Sequence, residues 1–483
     1  MLVASALLAG CGVGGSGSSA PGGGFRPARR PASSSTSARP RARAPPPGGG
    51  GGGAPPPPAA GGVERAPELA PDQQVSITFE SYNFGQAGPW TDTFEELLAA
   101  FHTEHPNITV TAQKPQGTSS NPAADTVSSL QTQAATGNAP DVAQVGFSDM
   151  GFLVDSLGAK SLDDLVGADT VQENFGGTHP FAPATTTLGQ LDGVTYGVPF
   201  VLSTPVLYYN ASLFTAAGLD PATPPATWAE VADAATRIVA ATGKEGAYAD
   251  CVTTQAKDWC LQSIVRSNGG RVISEDRSTL QYAEPPAVEA ISTLADMVSS
   301  GATPKFTQQQ AVEAFARGEL GMILESSSLE GTFGKGAAGG GWELRGAATP
   351  SFGDAPAVPT NSGAALYVLS DDPARQRAAW ELITFLTSDE AFTQIAKNIG
   401  YLPLRTGLMD STLADWAATN PTTAINIDQL NRMEPWVSFP GEDYLQIRDG
   451  MMDAVEQVVL QGADPQATLT AAQERGQALL ESP

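Results

Sequence analysis

The stretch Tyr196–Pro221, YGVPFVLSTPVLYYNASLFTAAGLDP, decides how this chain folds. It reads as a buried β-strand running into a helix, yet Ser203, Thr204 and Pro205 interrupt its middle. Proline has no N–H to give a sheet ladder and belongs at strand ends, edges and breaks. A buried hydroxyl costs free energy unless it finds a partner. Both facts are satisfied if the strand leaves one lobe at Ser203, crosses a cleft, and enters a second lobe. The polar residues at the crossing are then what the chain presents to a ligand.

Upstream of this crossing the pattern alternates. Val75–Tyr82 and Ile108–Ala112 are short and β-rich, and Asp141–Val145 is a third strand. Between them, Pro89–His102 carries Phe94, Leu97, Leu98 and Phe101 at helical spacing, and Thr126–Ala135 is a helix closed by Gly137. Strand–helix–strand order implies a mostly parallel sheet flanked by helices. Downstream, Thr227 and Glu230 have capping-box spacing, which makes Trp228 a packing residue. Ala311–Arg317, the strand Met322–Leu324 and a helix starting near Ser326 form another unit, and Ser327 with Glu330 repeats the capping-box spacing. Pro373–Leu386 and Ser388–Asn398 are two further helices, the second stopped by Gly400.

The net charge is −25, and residues 1–63 hold six arginines and no acid or lysine, so the remainder carries −25 − 6 = −31. So acidic a body argues against nucleic acid as a partner, because phosphate backbones demand cationic neutralisation. Met1–Gly10 is apolar but shorter than the ~20 residues needed to span a bilayer. It ends in Leu8-Ala9-Gly10-Cys11, which resembles a lipobox, so residues 1–11 are expected to be a lipoprotein signal with Cys11 lipidated, although no basic residue precedes the apolar run. Residues 12–73, rich in Gly, Pro, Ser and Arg, are expected to form a disordered tether. Cys251 and Cys260 then remain as an even pair in an exported protein, and a disulfide between them is expected.

Catalytic signatures are absent from the sequence. There is no G-x-S-x-G elbow, Walker A loop or H-E-x-x-H motif. His102, His105 and His179 lack ligand spacing, so neither metal nor cofactor is expected. What stands out is a scattered set of small polar groups at element junctions. Ser203 breaks the apolar strand, and Ser326 sits where a strand feeds a helix, whose N-terminus offers free N–H groups to an anion. Gly363 admits close approach of a ligand to backbone. Tyr401 lies in Ile399-Gly400-Tyr401-Leu402-Pro403, and Arg448 follows the apolar Ile447.

A family resemblance ties these residues together. TGNAPDVAQV (Thr136–Val145), PFVLSTPVLYYNASLFTAAGLDPATPPATW (Pro199–Trp228), SGAALYVL (Ser362–Leu369), IGYLPLR (Ile399–Arg405), QIR (Gln446–Arg448) and AAQERGQALL (Ala471–Leu480) resemble the extracellular solute-binding proteins of ABC importers, most of all their glycerol-3-phosphate binders. The resemblance implies an α/β, two-lobe, periplasmic-binding-protein-like flytrap with three interlobe crossings. It puts the N-lobe at 74–202 plus 364–402 and the C-lobe at 203–363 plus 403–483, with IGYLPLR as the third crossing. It places ligand contacts at Ser203, Ser326, Gly363, Tyr401 and Arg448, a set suited to phosphate. Two positions depart: Ala123 stands near a family tyrosine, and Val145-Gly146-Phe147 replaces a pattern ending in glutamate. Phe147, Asp149 and Trp259 are candidates to rebuild that half of the site.

The function this implies is non-catalytic capture of a glycerol-3-phosphate-like, glycerophosphodiester or sugar solute, handed to ABC permease subunits. The receptor would be a lipid-anchored, extracytoplasmic monomer. A neutral oligosaccharide binder is the alternative, a sensory receptor without a permease leaves the same trace, and an exported glycoside hydrolase would need a carboxylate pair in the cleft.

Overall fold

The computed structural model describes residues 65–86, 89–118, 122–254, 258–430 and 432–481. The expected leader with Cys11, and the tether as far as residue 64, lie outside them. The remaining tether residues do not fit that description. Ala66 donates its N–H to Leu165 O at 2.8 Å, and Glu68 pairs with Arg377 at 2.7 Å, so the packed body begins near Ala66.

Strands β1 (Val75–Glu80), β2 (Ile108–Gln113) and β3 (Val142–Gly146) alternate with helices Trp90–Glu104 and Pro122–Ala135. A small hairpin of β4 (Gln190–Leu191) and β5 (Val194–Thr195) precedes β6 (Gly197–Ser203). After it come β7 (Pro205–Asn210), β8 (Glu245–Ala249), β9 (Leu320–Ser326), β10 (Leu344–Ala347) and β11 (Ser362–Val368). One sheet runs β2-β1-β3-β11-β6 and the other β10-β7-β9-β8. In the first, β1 pairs parallel with β2 and β3, as strand–helix–strand order requires, while β11 runs antiparallel to β3 and β6. Each sheet has its own apolar core. Phe79, Phe94, Phe101 and Phe200 pack in the first lobe, and Tyr208, Ile238, Phe315 and Phe333 in the second.

The opening stretch behaves as its hydroxyls and proline demand. β6 ends at Ser203, Thr204 alone bridges, and β7 opens on Pro205 in the other sheet, where a first-residue proline costs no interior ladder bond. Buried Thr204 is partnered: its hydroxyl donates to Asn426 Oδ1 at 2.7 Å and accepts from Gln429 Nε2 at 3.1 Å. The chain returns through β11, where Gly363 has φ +137° and a Cβ would lie 2.1 Å from Val201 O. Only glycine fits there.

The third return falls later than IGYLPLR. Leu404, Leu408 and Leu413 pack in the first core. Arg405 donates to Thr387 O, Gly176 O, His179 O and Asn174 O, and its guanidinium stacks 4.7 Å from the Phe181 ring centre, all within the first lobe. The chain reaches the second lobe only with helix Pro421–Leu430, whose Gln429 donates to Pro205 O at 2.8 Å. The boundary expected at 402/403 therefore moves beyond Leu413. The helix Pro373–Leu386 and the Thr227–Glu230 capping box form as read. The second capping box does not. Leu329, with no side-chain cap bond, precedes helix Glu330–Gly340, Ser327 Oγ is buried without a partner, and Glu330 accepts from Thr422 Oγ1 instead.

Candidate functional site

Ser203 pairs across β11 with Ser362, and Pro205 pairs across β9 with Ser326, so the β6–β7 crossing brings the ends of both sheets together. Ser326 Oγ donates to Ser203 Oγ at 2.8 Å and lies 2.7 Å from Ser328 Oγ. These hydroxyls border a cavity of about 460 Å³ between the lobes. Tyr82, Trp90, Ser362 and Tyr401 line it from the first lobe, and Asp250, Trp259, Gln308, Glu325, Ser326 and Ser328 from the second. The Trp90 ring meets Tyr401 edge-on at 5.2 Å. Burial pushes the Tyr82 phenol up to about 12, with hydrogen bonds to Tyr401 and Gln144 pulling the other way. Tyr401, raised further by burial and by Tyr82, also stays a neutral donor.

Of the eight expected ligand residues, four line this cavity: Ser203, Trp259, Ser326 and Tyr401. Trp259 also belongs to the second core, so it packs and lines at once. Gly363 adjoins the cavity through Ser362. The other three do not join them. Phe147 borders a second groove of about 440 Å³ with Ser148, Phe152, Trp436, Phe439 and Tyr444. Asp149 is buried and its Oδ1 accepts from Tyr444 Oη at 3.1 Å, across the lobes. Arg448 lines neither space and donates to Asp449 Oδ1 at 2.7 and 3.0 Å. Burial works against its charge, but Asp149, Asp449 and Asp258 together hold its pKa above the ordinary value. Asp258, raised by burial and partly restored by Arg448, accepts from Trp436 Nε1 and Gln262 Nε2.

The helix-terminus anion site expected at Ser326 is not free either. Ser326 N donates to Glu325 Oε1 at 2.7 Å, Ser327 N to Thr204 O at 3.0 Å, and Ser328 N to Ser326 Oγ at 3.2 Å. A three-residue 3-10 turn, Ser327–Leu329, separates them from the helix itself. Among the described residues the charged groups lining the cavity are Asp250, Glu313 and Glu325, all acidic. Sequence reasoning missed these acids, along with Tyr82, Trp90 and Gln308. One signal was available: Glu325 is a carboxylate directly after the apolar run Leu320–Leu324 of a strand, and a buried charge demands a role. The expected disulfide is present, joining Cys251 and Cys260 with Cα atoms 5.1 Å apart, and it ties Asp250 to Trp259 on the cavity wall.

Two lobes of α/β architecture joined by crossing strands, with an open cavity of mixed polar and aromatic lining at the crossings, are the architecture of a solute receptor. Residues 96–424 match the family of bacterial extracellular solute-binding proteins, and the chain belongs to that family. Among its relatives is the sn-glycerol-3-phosphate-binding periplasmic protein UgpB of Pectobacterium atrosepticum, 30% identical over 298 residues, which are 58% of this chain and 65% of that protein. The chain thus spans slightly under two thirds of that relative. Among solved structures, UgpB from Mycobacterium tuberculosis in complex with glycerophosphocholine superposes with TM-score 0.73 at 22% identity, covering 84% of this chain and 99% of that one. The cyclic alpha-maltosyl-1,6-maltose binding protein of Arthrobacter globiformis gives 0.67 at 23%, with 84% and 99% covered. At these identities the structural likeness speaks for the fold.

Proposed function

We propose that this protein is a non-catalytic, monomeric receptor that captures a neutral, polyhydroxylated solute of the carbohydrate class between its lobes and hands it to the permease subunits of an ABC importer. A lipid on Cys11 would hold it at the outer face of the membrane. The observation that carries the reading is the interlobe cavity of about 460 Å³, walled by serine and tyrosine hydroxyls and by Trp90 and Trp259. Polar groups converging on an aromatic-walled pocket are how ligand sites fix orientation and provide specificity. Its charged lining is acidic, which disfavours a phosphate and suits hydroxyl donors.

A second reading, a glycerophosphodiester, is favoured by Arg448, the buried cation beside the cleft. A phosphate reaching that guanidinium would compete with Asp449, which accepts from Arg448 Nε and Nη2. Mass spectrometry of the small molecules that co-purify with the protein, followed by thermal-shift titration, tests both. A neutral sugar should raise the midpoint as RT ln(1 + [L]/Kd) while glycerol 3-phosphate does not. The reverse result would replace the first reading by the second.

A further inference from the structure

The cavity wall carries a pair of buried carboxyl groups, Asp250 and Glu325. Asp250 closes β8 and Glu325 lies next to the end of β9, two strands paired in parallel with Ala249 opposite Leu324. Both side chains are nearly sealed, Asp250 1% and Glu325 2% exposed, and both line the cavity. One oxygen of each is satisfied: Gln308 Nε2 donates to Asp250 Oδ2 at 2.7 Å, and Ser326 N donates to Glu325 Oε1 at 2.7 Å. Asp250 Oδ1 and Glu325 Oε2 are buried and receive no N–H or O–H donor among the described residues. Burial raises both carboxyls above the usual carboxylate range, and the neighbouring Glu325 raises Asp250 further.

Among the described residues, the groups around the pair are neutral or acidic. Tyr248 on β8 and Tyr208 on β7 face these acids as neutral phenols, each raised by burial first and then by the carboxylates. Glu456 and Glu330 add negative charge beside the two tyrosines, and Glu313 adds it to the cavity wall. Gln308 is the neutral donor from the helix that packs above. No described lysine, arginine or histidine acts on either carboxyl.

We propose that Asp250 and Glu325 are the specificity-determining pair of this receptor: they accept ligand hydroxyls and reject anionic solutes. The proposal rests on the carbohydrate reading and names the groups that enforce it. A vicinal diol donates two O–H bonds, one to each unpartnered oxygen, which favours the ionised carboxylates and lets a bound proton leave to solvent. A phosphate brings acceptors and charge where acceptors are already in excess.

The test uses the full chain with maltose, glycerophosphocholine and glycerol 3-phosphate as probes. Calorimetry in two buffers of different ionisation enthalpy should show up to one proton released per neutral ligand bound. Affinity should then rise with pH, by at most tenfold per unit, across the window where the pair titrates. Glu325→Gln and, in case it folds poorly, Asp250→Asn should each weaken the neutral probe about tenfold or more and flatten the pH dependence. Neutral-probe binding with no proton release and unchanged affinity in both variants overturns the inference while leaving the receptor reading intact. Binding of glycerol 3-phosphate alone, or of no probe, overturns the carbohydrate reading and the pair's role together.

Discussion

Replacing Arg448 by alanine should damage folding before it damages recognition. The guanidinium is a buried cation set among Asp149, Asp258 and Asp449, with its side chain 12% exposed. Asp449 is half exposed and would recover water, but Asp258 is 2% and Asp149 1% exposed, and both would stay buried beside a cavity left by the missing cation. Removing one partner of a buried charge cluster costs ~3–5 kcal/mol. With ~2.1 cal/mol/K of unfolding entropy per residue over ~420 folded residues, each kcal/mol is worth ~1 °C, so the midpoint should fall by ~3–5 °C. The pH dependence carries the sharper signature. Burial already holds the Asp258 carboxyl above its usual range, and losing Arg448 raises it further. A carboxyl raised in the folded state makes the native protein bind more protons than the unfolded chain, so stability falls as pH climbs through the folded value. The deficit of Arg448→Ala should therefore be small near pH 4 and grow toward pH 8. Urea denaturation of both proteins across that range reads it directly. A variant as stable as the parent at pH 8, but crippled in ligand binding, would show that Arg448 is held for the ligand and that its carboxylates yield readily.

Gly363→Ala should abolish the native β6–β11 pairing, because the new Cβ would meet the backbone of Val201 and Leu202 and φ is +137°; soluble yield and circular dichroism report it, and a normally folded variant would refute the register. Thr227→Ala should cost ~1 kcal/mol by opening the capping box that starts helix Trp228–Thr242, read as a lower urea midpoint with unchanged slope. Replacing Cys251 and Cys260 together by serine frees a short loop, a loss of ~2.7 kcal/mol in the chain-entropy picture, and loosens Asp250 and Trp259 together. Ligand affinity should then drop along with stability; a variant that loses stability alone would separate the disulfide from the site.

What the sequence disclosed and what it withheld divide along a physical line. Pro205 announced the β6–β7 break because a missing N–H is a local property, and Thr227 with Glu230 announced a helix start for the same reason. The third crossing was misplaced because Arg405, in a motif that reads as a linker, is held by four carbonyls and Phe181 that lie far from it in sequence. Charge balance is less local still. Ser326 reads as an anion-binding residue until Glu325, one position earlier, takes its N–H, and Arg448 reads as a phosphate ligand until Asp149 and Asp258 are found beside it. Preserved residue types at matching positions therefore specify where a ligand sits but not its charge. That is decided by the neighbours: three acidic groups around one guanidinium, and two more at the cavity wall. On the carbohydrate reading, a cation already compensated by its neighbours leaves a second anion little to gain, and the unpartnered acceptors of Asp250 and Glu325 wait for donors that the solute brings.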